Sequence, residues 1–310
     1  MRDRASLIEQ MWRAQAALGL RVFARVLAGW ADVSPLDLGW TTRRWLAAAI
    51  DVIRGERRRS QRAAIAFLRL YRALETGYTL PPPGDSSPSR DVSLGDLRDE
   101  WAQAAGVNRP RYPDDGRVIR VELDFEWPEP DERRLDDRAV ASLVATGVSR
   151  AYAIADDEDR LPSEVRADME SAGRAAANAA QQEALRSGRE VVDEASQRDR
   201  RVLGWMRVTD DDPCHFCALL ASRGVVYRSA ETAARRRDPG RVPASWGSVA
   251  RDELSKYHPR CACQVVPVYT RDDPRLAESR RLYDEYRRVT RGKSGADARR
   301  AWRHYIESRR

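Results

Sequence analysis

All four cysteines of the chain fall in one segment, and they form two close pairs. The first pair is Cys214-His215-Phe216-Cys217, and the second is Cys261-Ala262-Cys263, with His258 three residues before it. A short Cys-x-x-Cys turn presents two thiolates to one ion, and tetrahedral zinc takes four nitrogen or sulfur ligands. The spacing therefore predicts a link between a turn near residue 214 and a turn near residue 261.

The residue types alone leave three states open for these cysteines. The first is one structural zinc ion. Its preferred ligands are the four thiolates, with His258 as an alternative ligand: Cys214, Cys217, Cys261 and Cys263. The second is two disulfides formed after release from the cell, and the third is four reduced thiols. Because there are only four cysteines in 310 residues, a disulfide-rich secreted scaffold is excluded.

Length and composition favour a soluble protein made in a reducing compartment. A chain of 310 residues is long enough to bury a core without disulfide support. Glu9 and Arg13 interrupt the apolar residues of the N-terminus, so we expect no signal peptide. No run approaches 18 apolar residues, and we therefore expect no membrane partner.

Charge is segregated along the chain. Residues 1–80 carry 14 basic and 7 acidic groups, residues 81–200 carry 17 and 27, and residues 201–310 carry 24 and 14. Both ends are therefore basic and the middle is acidic. Basic ends suit nucleic acid or an acidic partner surface, although solvated helix faces give the same pattern.

The pattern of apolar residues predicts mainly helices. Residues 5–79 read as two helical stretches around a turn at 32–35, and the basic stretch 54–62 suggests a loop or solvated turn inside the second. Helices return over 136–200, where we expect Ser163 to cap one helix and Gly188 to end or interrupt it.

One segment has the alternation of a strand. In residues 118–127, apolar side chains from Ile119 to Trp127 alternate with charged ones. A lone strand is unstable, so we expect it to pair with residues 225–227 and 265–269. The fold class expected is mainly α (α+β), with helical N-terminal and middle regions and a small C-terminal β-containing module stapled by the Cys/His cluster.

The domain organisation expected from these patterns has five parts. Residues 81–92 are a linker rich in proline and serine, because four prolines cannot continue a helix. The predicted parts are a helical N-terminal region (1–80), this linker, a strand with long helices (93–200), the Cys/His module (201–270) and a basic helical tail (271–310).

Three enzymatic interpretations fail or lack support. Pro213-Cys214-x-x-Cys217 matches half of a zinc deaminase signature, but no upstream His-x-Glu exists. A Cys214–His258 nucleophile pair has no evident orienting group. Gly292-Lys293-Ser294 resembles the end of a phosphate-binding loop, but Arg287 stands where the first glycine must be. We therefore expect no catalytic residue, no bound organic cofactor and no enzyme.

Two segments together resemble a known family. Residues 204–228 (GWMRVTDDDPCHFCALLASRGVVYR) and 257–268 (YHPRCACQVVPV) are similar to the C-terminal module of MuF-like minor head proteins, a head morphogenesis family of tailed phages. The likeness is closest to versions from phages of actinobacteria. It rests on Cys-x-x-Cys followed by His-Pro-x-Cys-x-Cys, and extends upstream to residues 187–190 and Asp199.

The resemblance implies structural work in the virion. Proteins of this family are made in the host cytoplasm, associate with the portal protein, lie inside the head in few copies and affect DNA packaging or ejection. Scaffold protein, major capsid protein and packaged DNA are further partners that it suggests. Some relatives are described as capsid maturation proteases or carry toxin domains, which the residues here do not support.

The last forty residues combine aromatic side chains with arginines. Residues 275–289 and 296–309 read as two short helices with apolar stripes. Docking on the body, contact with the portal and nonspecific contact with DNA are the three interpretations. The arginines involved are Arg280, Arg281, Arg287, Arg288, Arg299, Arg300 and Arg303. A nonspecific nucleic-acid-binding module is accordingly the second function hypothesis, ahead of an enzyme.

Overall fold

The computed structural model describes residues 2–85, 89–107, 116–209, 212–227 and 263–309, with side chains from residue 6. It is mainly helical with two small sheets, which confirms the expected α+β class. Two long helices open the chain, α1 (Arg2–Trp30) and α2 (Leu38–Thr76). Asp37 caps α2 by accepting a hydrogen bond from the Trp40 amide, and Gly77 ends the helix in the left-handed conformation, with a φ of 75°.

The basic middle of α2 is helical, so the loop or turn predicted at residues 54–62 is wrong. Arg57 is 1% exposed, and its Nη1 lies 2.9 Å from the Asp136 carboxylate and 3.1 Å from that of Glu132. Arg54 also pairs with Asp136. Because the carboxylates of Glu132 and Asp136 neutralise these arginines, the stretch can pack as part of a helix and does not form a solvated loop.

Four helical segments form a bundle around one apolar cluster. α1 and α2 pack with α4 (Glu132–Leu143), which continues through a π-helical turn (Val144–Val148) into α5 (Ser149–Ala155), and with α6 (Pro162–Arg198). Trp30 lies in this core, packs edge-to-face on Trp45 and donates to the Met169 carbonyl at 2.8 Å.

Two details of α6 differ from expectation. The helix begins at Pro162, and its first turn is closed by Glu164, which accepts the Leu161 amide, so Ser163 is not the cap. Gly188 neither ends nor interrupts α6. A Cβ at this position would lie 2.3 Å from the Ser60 hydroxyl oxygen and 2.7 Å from its carbonyl oxygen, so glycine permits the close approach of α2.

The first sheet has strands β1 (Tyr78–Thr79), β2 (Asp91–Ser93) and β3 (Val118–Val121) in the order β1-β3-β2. β3 runs parallel to β1 and antiparallel to β2, and α3 (Leu94–Ala105) follows β2. The predicted pairing of this strand with residues 225–227 and 265–269 is therefore wrong.

The strand predicted over 118–127 is also shorter than expected. Beyond Val121 the apolar side chains of Phe125 and Trp127 pack on one another and on Leu80, and the Trp127 indole donates to the Pro81 carbonyl at 2.8 Å. Both side chains are partly buried in an irregular segment, so apolar and charged residues alternate there although no strand forms. This alternation is why the sequence predicted a strand that is too long.

The second sheet has three antiparallel strands, with β4 (Gly204–Val208) between β5 (Val225–Tyr227) and β6 (Gln264–Val268). The short helix α7 (His215–Ala221) lies between β4 and β5 in the chain. Two helices follow, α8 (Leu276–Val289) and α9 (Gly295–Glu307), as the sequence predicts.

Core packing crosses the predicted segment boundaries. One hydrophobic cluster contains Leu7, Trp101, Met206 and Leu276, which come from four of the five predicted parts. β1 precedes the predicted linker, β2 contains its last two residues, and both strands pair with β3. Among the described residues, no helix is long and apolar enough to cross a bilayer.

Candidate functional site

The first cysteine pair forms the start of a helix. Cys214 is the N-cap residue of α7, in extended backbone conformation, and its sulfur accepts a hydrogen bond from the Cys217 amide at 3.4 Å. Cys217 lies in the first turn, 1% exposed, while Cys214 is partly exposed. The Cys-x-x-Cys motif is therefore a helix-capping turn that holds its two sulfur atoms on the same end of α7.

The second sheet delivers a third cysteine to this turn. Cys263 immediately precedes β6 and is 2% exposed. It forms one buried cluster with Cys217, against which Cys214 and Phe216 pack. None of the three cysteines is in a disulfide. The fold thus brings together three of the four predicted thiol ligands, although Cys263 follows Cys217 by 46 residues in the sequence.

The remaining predicted ligands lie outside the described residues. These are Cys261 and the alternative ligand His258. Among the residues that the structure does describe, no group of three or more His, Cys, Asp or Glu side chains has an arrangement that could hold a metal ion. The zinc ion therefore stays a prediction, and it depends on what Cys261 and His258 add to the three sulfurs.

A buried arginine accompanies the cysteine cluster. Arg207 on β4 is 1% exposed, and its Nη2 lies 3.6 Å from the Cys217 sulfur. A guanidinium beside sulfur favours the thiolate, which is the form that binds metals. Sequence reasoning found Arg207 only as part of the segment that resembles the phage family. The signal for its role was a charged side chain in the middle of an otherwise apolar strand.

The C-terminal helices dock on α7 and fix its first residue. Trp302, 1% exposed, donates from its indole to the His215 carbonyl at 2.8 Å. Arg303 donates to the His215 Nε2 at 3.3 Å, and the Nδ1 lies 3.8 Å from Glu307. The His215 ring thus faces α9, and Leu282 and Ile306 complete the apolar contact with α7.

The arginines of this hairpin mostly face partners within it. Arg281 pairs with Glu278 and Glu285, and Arg300 pairs with Asp297. Arg288 donates to the Tyr305 hydroxyl at 3.0 Å. Arg287 stacks on Tyr283, Arg280 reaches the Leu276 carbonyl, and Arg299 is exposed. The hairpin therefore docks on the body of the protein through α7, while contact with the portal or with DNA stays a prediction.

A cavity of about 390 Å³ lies between β4, α8 and α9, beside the cysteine cluster. Arg207 and Arg275 line it. Arg275 is held by Asp273 and by the Tyr71 hydroxyl. Burial raises the pKa of Tyr71 well above its ordinary value, against the opposing effect of Arg275, so the phenol stays neutral. The cavity wall is thus fixed by paired groups.

The upstream residues of the resemblance are contacts of α6 with its neighbours. Gln61 on α2 donates to the Ser187 hydroxyl at 2.7 Å, Gly188 lies against Ser60, and Arg138 on α4 pairs with Glu190 at 2.9 Å. These residues hold the bundle together and lie in the helical body, whereas the cysteines lie in the sheet module.

Known proteins that match this chain come from phages. The model of the VG15 protein family matches residues 131–289. The Gene 15 protein of Mycobacterium phage D29 is 31% identical over 206 residues, which cover 57% of this chain and 65% of the relative. The chain thus spans less than two thirds of the relative's length, and no solved structure matches. The family match covers just over half of the chain, and the chain therefore belongs to the VG15 family, a family of phage proteins.

Proposed function

We propose that this chain is a minor head protein of a tailed phage, similar in role to the MuF-like proteins. It enters the procapsid with the portal protein, lies inside the head in few copies, and acts in head assembly and in DNA packaging or ejection. Membership of a phage family supports the coarse assignment. The finer one rests on the resemblance of residues 204–228 and 257–268.

The observation that carries the proposal is that the described residues behind that resemblance meet in the fold. Cys214, Cys217 and Cys263 lie together, and Arg207 from the first resembling segment lies against them. The described residues of these two segments therefore form one packed unit, made of a sheet and a capping turn, on which the C-terminal hairpin docks. Resembling residues that pack against one another are what a structural module requires, whereas resembling residues scattered over the fold would not support one.

In this proposal the cysteines are structural, and the chain is not an enzyme. Thiolate ligands suit zinc, and Arg207 beside Cys217 would offset the negative charge of a thiolate set. Such an ion would tie α7 to the start of β6. His215, the histidine next to Cys214, is turned toward Arg303 and Glu307 on α9 and so does not act as a base for either cysteine of its turn.

The portal protein is the proposed primary partner. Scaffold and major capsid protein are secondary candidates during assembly, and packaged DNA would contact the chain without sequence preference. Because the hairpin arginines already face carboxylates and tyrosines, we expect any DNA contact there to be weak and to vanish at moderate salt.

Co-purification with the portal tests this proposal. The tagged chain is co-expressed with the portal protein of the same phage, and retained complexes are sized and quantified. The proposal expects portal rings to be retained with fewer copies of this chain than of portal subunits. Absence of retention, both here and with portal assembled alone and mixed later, would contradict the assignment.

A further inference from the structure

Exposed apolar side chains concentrate at one end of the helical bundle. Among the described residues, seven large hydrophobic side chains are exposed, and four of them lie at this end: Leu36, Trp40, Tyr152 and Leu161. Leu36 is 96% exposed and Trp40 is 61% exposed. We call the α1–α2 turn, the first turn of α2, and residues 152–161 the bundle tip. A cluster of this kind, unlike scattered apolar residues, marks an interaction surface.

Helix packing places these segments at the same end. Trp30, the last residue of α1, donates to the Met169 carbonyl near the start of α6. Ser60 meets Gly188, and twelve residues further along α2 Arg72 pairs with Asp199 at the end of α6, so the two helices run side by side in the same direction and both begin at the tip. The α1–α2 turn and the α5–α6 loop are therefore neighbours, although more than a hundred residues separate them in the chain.

The tip is acidic as well as apolar. The loop between α5 and α6 carries four consecutive exposed carboxylates, from Asp156 to Asp159. Arg160 follows them and pairs with Asp157 and Asp168. A partner for the tip must therefore bury apolar side chains and bring positive charge to the rim of the contact.

The same chain has a surface with the opposite character. A groove of about 1020 Å³ runs between α1, α2 and the end of α3. Its lining includes small apolar residues, among them Ala17, Ala63 and Ala104. Four arginines also line it: Arg13, Arg21, Arg59 and Arg62. We call it the arginine groove.

The arginine groove keeps a positive charge after its own ion pairs are counted, because two carboxylates serve its four arginines: Glu9 pairs with Arg13, and Glu56 is shared. Arg21 and Arg59 share one carboxylate, that of Glu56, at 3.4 and 2.6 Å. Glu56 is 2% exposed, whereas the side chains of Arg21 and Arg59 are about half exposed. This buried carboxylate, which Arg25 also approaches at 4.0 Å, can offset the charge of only one of these guanidinium groups.

We propose that the bundle tip of one copy docks in the arginine groove of a second copy. The acidic tips repel one another, and so do the basic grooves, so the favourable contact pairs unlike surfaces. The tip does not reach the groove of its own chain, because Trp40 and Arg59 lie on the same continuous helix, about 29 Å apart along its axis. Repeating this head-to-tail contact builds a ring or a short chain of copies.

Sedimentation velocity of the full chain over a range of concentrations and salt tests the contact. The proposal expects reversible association that weakens as salt rises. Trp40→Ser should raise the dissociation constant at least about tenfold. Val118→Ser, which removes an equally exposed side chain on β3, should leave it unchanged. A wild-type chain that stays monomeric at all concentrations would overturn the proposal.

Mixing two variants tests the head-to-tail geometry. Trp40→Ser disables the tip and leaves the groove, whereas the double variant Arg13→Glu/Arg62→Glu disables the groove and leaves the tip. Both change exposed side chains, and circular dichroism checks that helicity is kept. Each variant alone should be monomeric, and an equimolar mixture should form dimers and nothing larger. A mixture that remains monomeric would overturn the proposal, whatever the outcome of the portal experiment.

Discussion

Arg72 on α2 and Asp199, at the end of α6, form a buried ion pair that joins the helical body to the sheet module. The Arg72 Nε lies 2.7 Å from the Asp199 carboxylate, and both side chains are almost fully buried. Arg72 also pairs with Glu122, which in turn binds Arg201. Asp199 is one of the residues that resemble the phage family, and its position gives it a structural role at the point where α6 leads into β4.

Asp199→Ala should lower the free energy of unfolding by about 3–5 kcal/mol, because it leaves the Arg72 charge buried with one fewer partner. Urea denaturation measures the change. Asp51→Ala is the matched control, since Asp51 pairs with Arg54 on the surface and is 76% exposed. It should cost less than about 1 kcal/mol. Equal losses in the two variants would contradict the assigned role.

Gly188→Ala should destabilise the bundle by about 1–3 kcal/mol, because the new Cβ meets the backbone of Ser60 and forces α2 and α6 apart. Gly55→Ala is the control. Gly55 lies inside α2, and a Cβ added there would meet no atom within 4 Å, so alanine should stabilise the helix by about 0.5–1 kcal/mol. Thermal unfolding of the two variants gives the comparison, and the same sign for both would refute it.

The sequence predicted the helices well and their contacts poorly. Periodicity located the N-terminal helices, the turn near residue 33 and the C-terminal pair. It failed at residues 54–62 and at Gly188, because the neutralising carboxylate of Asp136 and the close approach of Ser60 come from distant segments. A pattern within one segment cannot predict which residues of a distant segment will pack against it.

The candidate site was predictable in composition but not in arrangement. Clustering of rare residues identified the cysteines, and the structure brings three of them together. The contact of Arg207 with Cys217 and that of Trp302 with His215 depend on strand register and helix docking. Neither contact could be predicted from the spacing of its two residues in the sequence.

Stability should fall in acid through Glu122. Burial raises the pKa of this carboxyl, but hydrogen bonds from Arg201 and Arg72 outweigh burial and the net pKa shift is downward from 4.5. A lowered folded-state pKa gives a contribution that is complete above the unfolded value and is lost as pH falls through the folded one.

Arg201→Gln checks this pH dependence. The difference in unfolding free energy between wild type and variant should be largest above about pH 5 and shrink on acidification. Arg200→Gln is the control, because Arg200 is 91% exposed and lies 3.8 Å from Asp124. An Arg201→Gln difference that stays constant from neutral pH into acid would show that the pair does not act through the Glu122 carboxylate.

If the cysteines hold zinc, the purified chain should carry about one ion, and chelation should lower its melting temperature. Elemental analysis and thermal unfolding measure both. Cys217→Ser should lose the ion, whereas His215→Ala should keep it, because the His215 ring faces α9. Four fully reactive thiols in a folded, metal-free chain would contradict the zinc prediction.

The head assignment is tested most directly by quantitative mass spectrometry of purified particles, comparing DNA-filled heads with heads assembled without portal protein. The account predicts this chain at low copy number in the filled heads and its loss from the portal-less ones. Absence of the chain from every particle would contradict a structural role in the virion.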